Sequence, residues 1–529
     1  MSNQQKGYLE IKEASIWASQ YLGKTVTTAN ISYLVNYGCI SAQKDINGKI
    51  LIPIKELDEY YKVNNIKSID WQKKLGDDLN WDLSFDYLKE AQTTKHVHRL
   101  HPYKGKFIPQ LVEYFIDEHT DKFKKDKYFS AGDIILDPFC GSGTTLVQAN
   151  ELGIDAIGID ISQFNALISN SKIAQYDIPA LQKEIAHITD QLKQHIIDSG
   201  TAAFEKELSD ELIIYNNHYF PVPEFKYNVR RGLIDGKSYG EQKAKEFLPI
   251  YNNLITKYQI LLKQNRQNSF LDIWYTKNIR NEIEIINALI NKIENRQIKA
   301  ILQIILSRTM RSCRATTHAD LGTLKDPVMT TYYCTKHGKI CKPLFSIFKW
   351  WKTYCKDTVT RLQAFDKIRT NSLQYCLAGD SRNIDIIGQL EHINPELAKK
   401  VSKKKISGIF TSPPYVGLID YHEQHAYSYD LFGFDRNDES EIGPLFRGQG
   451  YAAQKSYING ITGVLNHCKQ FLADDYNIFI VANDKYGLYP HIAENAGMQI
   501  INQYKRPVLN RTEKDKGAYS EIIFHLKSK

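Results

Sequence analysis

The 529-residue sequence predicts an α/β protein whose parallel sheet is split by a long helical insertion and preceded by a small helix–hairpin head. Three observations predict it. A buried strand at 134–136 runs through a glycine turn into a helix and then into a second strand at 155–161, the order of a βαβ unit. Strand-like runs return only from position 373, at LQYCLAGD, ISGIFTSPPY, NIFIVAND and EIIFHLK. Between the two sets, a chain rich in Lys, Glu, Asn and Gln carries Ile and Leu at helical spacing, most clearly over 280–310.

The elements follow in order. YLEIKEASIWASQYLG reads as a helix ending at Gly23, and TTANISYLVNYG as a second helix with Thr27 or Thr28 as N-cap and Gly38 as stop. Two short strands around Asn47-Gly48 then form a hairpin, followed by a last helix. This order resembles the winged helix-turn-helix of MerR or excisionase type, which implies a DNA-binding head over 1–63. A polar linker is expected at 64–84, the first part of the α/β domain at 85–175, the helical insertion at 176–365 and the second part of the domain at 366–529.

Bulk properties narrow the classes. No apolar run is long enough to span a bilayer and no signal-peptide pattern opens the chain, so a cytoplasmic protein without membrane partners is expected. The eight cysteines show no disulfide framework, which suits a reducing compartment. A net charge of +8 permits a polyanionic partner without requiring one.

IILDPFCGSGTTLVQANELGIDAIGIDIS carries the most information. Glycines at 141 and 143 let the backbone approach a ligand, and the helix that follows offers unpaired N–H groups. Asp160, at the end of the second strand, can accept hydrogen bonds from ribose hydroxyls. No GxxxxGK[ST] pattern is present, so nucleotide hydrolysis has no support.

DPFCGSGTT resembles motif I of the S-adenosylmethionine-dependent DNA amino-methyltransferases. The resemblance implies a Rossmann-like class I methyltransferase sheet and S-adenosyl-L-methionine as cofactor. It also implies cofactor-binding roles for Asp137, Phe139, Gly141, Gly143 and Asp160. LAGD, ending in Asp380, is similar to the family motif near the adenine. HPYKGKFIPQLVEYF, containing Lys106, is similar to the motif that closes over the cofactor.

Ser412-Pro413-Pro414-Tyr415 follows a strand. An exocyclic amine attacks a sulfonium methyl poorly, because its lone pair is delocalised into the base. Two acceptors for its N–H groups would draw the nitrogen toward tetrahedral geometry. The prolines have no N–H and fix φ, so they can aim the Pro413 carbonyl while Ser412 supplies the second acceptor. Tyr415 offers a face on which an extruded base could stack. None of the cysteines follows a proline, so carbon-5 methylation through a Pro-Cys thiolate is excluded.

The serine form resembles motif IV of cytosine-N4 enzymes, whereas Asp or Asn stands there more often in adenine-N6 enzymes. The expected function is therefore site-specific methylation of double-stranded DNA at cytosine N4, with adenine N6 as the alternative. An RNA base methyltransferase and a DNA-binding regulator with a cofactor-sensing domain are the more distant readings. The family resemblance also implies a cognate restriction endonuclease as a functional partner.

His422, Glu423 and His425 do not form an HExxH zinc pattern and are expected to shape the base pocket, touch DNA or form a solvated face. Cys334, His337 and Cys341 stand close to zinc-ligand spacing, and Cys313 or His318 could complete a tetrahedron. No CxxC pair is present and buried free cysteines are common, so the expectation is no metal.

Overall fold

The computed structural model describes residues 7–23, 25–63, 79–85, 87–264, 269–318, 324–343, 346–508 and 519–529. Most of the expected linker, 64–78, lies outside the described residues. The chain divides into two compact units, one of 1–74, 193–282 and 312–347, the other of 75–192, 283–311 and 348–529. Among the described residues no helix is long and apolar enough to cross a membrane.

In the first unit, strand β1 (Tyr8–Glu10) precedes helices Ile11–Leu22 and Thr28–Asn36. Strands β2 (Gln43–Lys44) and β3 (Ile50–Pro53) form the hairpin, and a helix at 54–63 closes the head. The first residues of the expected helix pair instead with β3, giving a β1-β3-β2 sheet. Thr27 caps the second helix by accepting from the Asn30 N–H. Leu9, Ala14, Ile31, Leu34, Ile52 and Leu57 form the head's own core. Gly38 has φ +66°, and a Cβ there would meet the Lys226 backbone at 2.8 Å. Only glycine permits that approach, which lets Arg230 Nε donate to the Tyr37 carbonyl at 2.7 Å.

The helices Thr201–Tyr219 and Gly236–Lys257 bury Phe204, Leu208, Phe247 and Tyr251 in a second core. The hairpin of β6 (Tyr332–Cys334) and β7 (Lys339–Cys341) packs on them. The apolar stretch at 280–310 is two helices, Lys277–Asn291 and Arg296–Ser312. Asn295 breaks it, because its side chain accepts from the N–H groups of Gln297 and Ile298 and starts the second helix.

The second unit holds a seven-stranded sheet of β4 (Ile134–Asp137), β5 (Asp155–Asp160), β8 (Gln374–Ala378), β9 (Ile406–Thr411), β10 (Leu472–Ala482), β11 (Met498–Val508) and β12 (Tyr519–Ser528). Its order is β11-β12-β10-β9-β4-β5-β8. β12 runs antiparallel to both neighbours, while β10, β9, β4, β5 and β8 are mutually parallel. β4 and β5 are buried at every position, as a strand covered on both faces requires. From β4 the chain builds outward to β5 and β8, then returns to the other side of β4 for β9 and β10. The order therefore reverses between β4 and β9, and such switch points are where open α/β sheets bind ligands.

Candidate active site

A cleft opens where β4, β5, β8 and β9 end. Phe139 and Gly141 line it from the loop after β4, Asp160 from the end of β5, and Asp380 from the turn after β8. Ser412 and Pro414 line it after β9, and Lys106 from the segment before the sheet. Residues remote in sequence thus meet because β4 and β9 are neighbours.

Asp137, Gly143, Pro413 and Tyr415 do not line this cleft. Asp137 is 1% exposed, and its carboxylate accepts from Thr145 Oγ1 and Thr411 Oγ1, both at 2.6 Å, and from the Phe139 N–H at 3.2 Å. Thr145 begins the helix after the glycine turn and Thr411 ends β9, so Asp137 clasps the two loops together. Burial pushes its carboxyl up to about 6. Asp137→Ala leaves these buried donors without an acceptor and is expected to cost about 2–4 kcal/mol of unfolding free energy. Asp137→Asn, which keeps one acceptor, should lose less. Urea denaturation checks this, and equal midpoints for wild type and the alanine variant would disprove the clasp.

Gly141 has φ +52°, and a Cβ on it would lie 3.1 Å from the Tyr103 ring. Its N–H donates to Asp160 Oδ2 at 2.7 Å. Asp160 Oδ1 accepts from the Ser162 N–H at 2.9 Å and from Asn165 Nδ2 at 3.0 Å. Oδ2 has one such donor, so a lone pair remains for a ligand in the cleft. Burial pushes the Asp160 carboxyl up to about 6. Asp380 is gripped by Arg382, whose Nε and Nη2 donate to it at 2.9 Å and 2.5 Å. Lys106 donates to the His98 carbonyl at 2.7 Å, and burial draws its ammonium down to about 8.

Ser412 is half-buried on the cleft wall, and no described residue hydrogen-bonds its hydroxyl. Pro413 is buried behind it. The Tyr415 hydroxyl donates to Glu521 Oε1 at 2.9 Å, which anchors that ring to β12. The cleft's aromatic surface includes, besides Phe107 and Phe139, Tyr103 and Tyr421, stacked at 6.0 Å between centroids. Neither tyrosine was singled out from the sequence, because they stand more than 300 positions apart and meet only in the fold.

His422 and His425 are 0% and 2% exposed, so neither can touch DNA. His422 is hydrogen-bonded to Glu441, which also accepts from the His422 N–H at 2.9 Å and presents its own face to the cleft. Glu423 is exposed and pairs with Arg436 at 3.0 Å.

A DNA methylase family model matches residues 23–171. The chain is 46% identical to the Type II methyltransferase M.MjaII of Methanocaldococcus jannaschii over 98% of its own length and 96% of that protein. The chain belongs to the Type II DNA methyltransferases. Shorter similarities link this methyltransferase to M.BsoBI of Geobacillus stearothermophilus, 31% identical over 27% of the chain and 28% of that protein. M.MvaI of Kocuria varians is 30% identical over 26% of the chain and 29% of its own length. The methyl donor of the present chain is S-adenosyl-L-methionine, its substrate is DNA, and its class is that of restriction–modification systems.

The cleft of the methyltransferase fits that donor. Among the described residues, the buried Ser142 hydroxyl and Asn165 amide oxygen have no hydrogen-bond partner, and both residues line the cleft. Together with the remaining lone pair on Asp160, they offer acceptors to the ammonium and ribose hydroxyls of the cofactor. Gly141 leaves the space that a side chain would fill.

Proposed function

We propose that the protein methylates the N4 amine of cytosine within a specific sequence of double-stranded DNA. What supports this reading is the position of Ser412, whose hydroxyl is bonded by no described residue and shares one cleft with Gly141 and Asp160. The target base would leave the duplex to reach this depth. Ser412 Oγ accepts one amine hydrogen at the cleft wall, and the Pro413 carbonyl, on the residue buried behind that wall, would turn toward the seated base to accept the second and localise the nitrogen lone pair. Pro413 and Pro414 hold that carbonyl without competing N–H groups. When bound, S-adenosylmethionine supplies a sulfonium methyl as the electrophile. Asp160 holds the ribose, Lys106 and the Asp380–Arg382 pair border the cofactor end, and Tyr103 and Tyr421 provide flat faces for aromatic rings. The amine becomes acidic as it is methylated, so its proton passes to solvent without a strong base.

The experiment is nucleoside mass spectrometry together with single-molecule sequencing of DNA from cells expressing the protein. N4-methylcytosine at one recurring sequence is expected. N6-methyladenine would overturn the choice of base, and unmodified DNA would overturn the activity.

The winged head supplies DNA contacts in this reading, and the helical unit supplies target recognition. The Thr28–Asn36 helix exposes Ala29, Tyr33 and Asn36 along one face, and Ile46 at the hairpin tip is fully exposed. The head carries six lysines and six acids over 7–63, so its contribution rests on shape rather than net charge. Ile46→Glu is expected to weaken DNA binding about fivefold at fixed salt through repulsion from phosphate, with cofactor affinity unaltered. Fluorescence anisotropy on cognate duplex measures this, and unchanged affinity would remove the wing from the interface.

A further inference from the structure

Outside the cleft, the hairpin of β6 and β7 gathers four metal-ligating side chains. His318, Cys334, His337 and Cys341 each offer a ligand atom, and these atoms all lie within 4.8 Å of one another. Cys313, the other sequence candidate, is not among them.

The hairpin explains how they meet. Tyr333 pairs with Ile340 across the strands, and both face the helices. Tyr333 stacks on Phe220 at 5.7 Å, and Ile340 exchanges backbone hydrogen bonds with the Asn216 side chain. Strand alternation sends Tyr332, Cys334 and Cys341 to the opposite face. There the turn between the strands adds His337, and the chain upstream adds His318. Such a short two-stranded ribbon is too small to hold this outer face by apolar burial, yet Cys334 and Cys341 are 2% and 7% exposed.

We propose that these four residues bind one structural Zn²⁺ in a Cys₂His₂ tetrahedron. With Zn–S near 2.3 Å and Zn–N near 2.0–2.1 Å, the edges of such a tetrahedron span about 3.3–3.8 Å. His337 Nδ1 lies 3.5 Å from Cys341 Sγ, the length of a sulfur–nitrogen edge. The His318 and His337 rings are 4.5 Å apart between centroids and inclined at 63°. His318 Nδ1 lies 2.7 Å from the Tyr332 hydroxyl, which also accepts from the His318 backbone N–H at 3.0 Å. That contact orients the ring as an outer-shell partner does, with Nδ1 carrying the proton and Nε2 left for the metal.

Two thiolates balance the charge of the ion, and both thiol protons pass to solvent on binding. The mixed sulfur–nitrogen set selects zinc over calcium, magnesium or manganese. All four ligands are present with neither cysteine in a disulfide. The ion would tie the chain after helix Arg296–Ser312 to the hairpin.

The test uses the untagged full-length chain, purified under reducing conditions without chelators. Elemental mass spectrometry should find about one zinc per chain, released by a mercurial reagent as the thiols react. Cys334→Ser and Cys341→Ser should lose it, while Cys355→Ser, a buried thiol outside the group, should retain it. If the serine variants fail to fold, cobalt replacement in the wild-type chain decides. It should give the visible bands of a tetrahedral S₂N₂ site. Less than about a tenth of an equivalent of zinc, with no such bands on cobalt addition, overturns the proposal.

Discussion

Ser412→Ala is expected to lower the methylation rate by about 10²–10³-fold, the usual cost of removing one preorganised hydrogen-bonding group from a transition state. S-adenosylmethionine affinity should stay within about twofold, because the proposed role of the Ser412 hydroxyl is to hold the amine rather than the cofactor. The alanine leaves Pro413, Pro414 and the Asp137 clasp in place, so the loss reports on the hydroxyl alone. Single-turnover methylation of a cognate duplex measures the rate, and cofactor titration of the free protein measures affinity. A wild-type rate in this variant would remove Ser412 from the chemistry. A parallel loss of cofactor binding would place its effect in the cleft's structure instead.

The second large effect belongs to Asp160. In the free protein its carboxyl is pushed up to about 6 by burial. Ribose hydroxyls donate more strongly to the ionised form than to the neutral acid, so the complex holds a lower pKa than the free protein. Affinity is therefore complete above that value and falls as pH drops through it, by about tenfold per unit in the acidic limb. Asp160→Asn should raise the cofactor dissociation constant about 10- to 150-fold, the worth of roughly 1.5–3 kcal/mol for hydrogen bonds to a charged group. It should also flatten the pH dependence between pH 5 and pH 7. Calorimetric titrations across that range check both. A steep acid limb that survives in Asp160→Asn would assign the titration to another group. Asp137 also sits near 6, but it makes no cleft contact.

The parts of this molecule that were legible in the sequence are those that local chemistry dictates. The β4–glycine turn–helix–β5 unit could be read because a buried run, two glycines and an acid carry their meaning within some thirty residues. Strands β8, β9, β10 and β12 could be read because they are apolar. β11 could not, since Met498–Val508 lies at the sheet edge and exposes Gln499, Asn502 and Gln503, which no periodicity marks as strand. β1 was absorbed into the first helix because its pairing with β3 is a tertiary choice. The same limit explains Asp137. Its place in a cofactor motif says nothing of Thr411, whose hydroxyl it accepts across 274 positions. It explains the proposed metal ligands as well, where spacing left Cys313 and His318 equivalent and the fold put His318 beside the hairpin.

β5 and β8 are hydrogen-bonded neighbours from Ala156–Gln374 to Asp160–Ala378. The whole excursion that carries the helical insertion therefore starts and ends at adjacent strands of a closed register. For such an excursion, each doubling of length costs only about 0.6 kcal/mol of closure entropy. If target recognition resides in this excursion, as proposed, specificity can drift, lengthen or be transplanted as a cartridge while the seven-stranded sheet keeps its pairing.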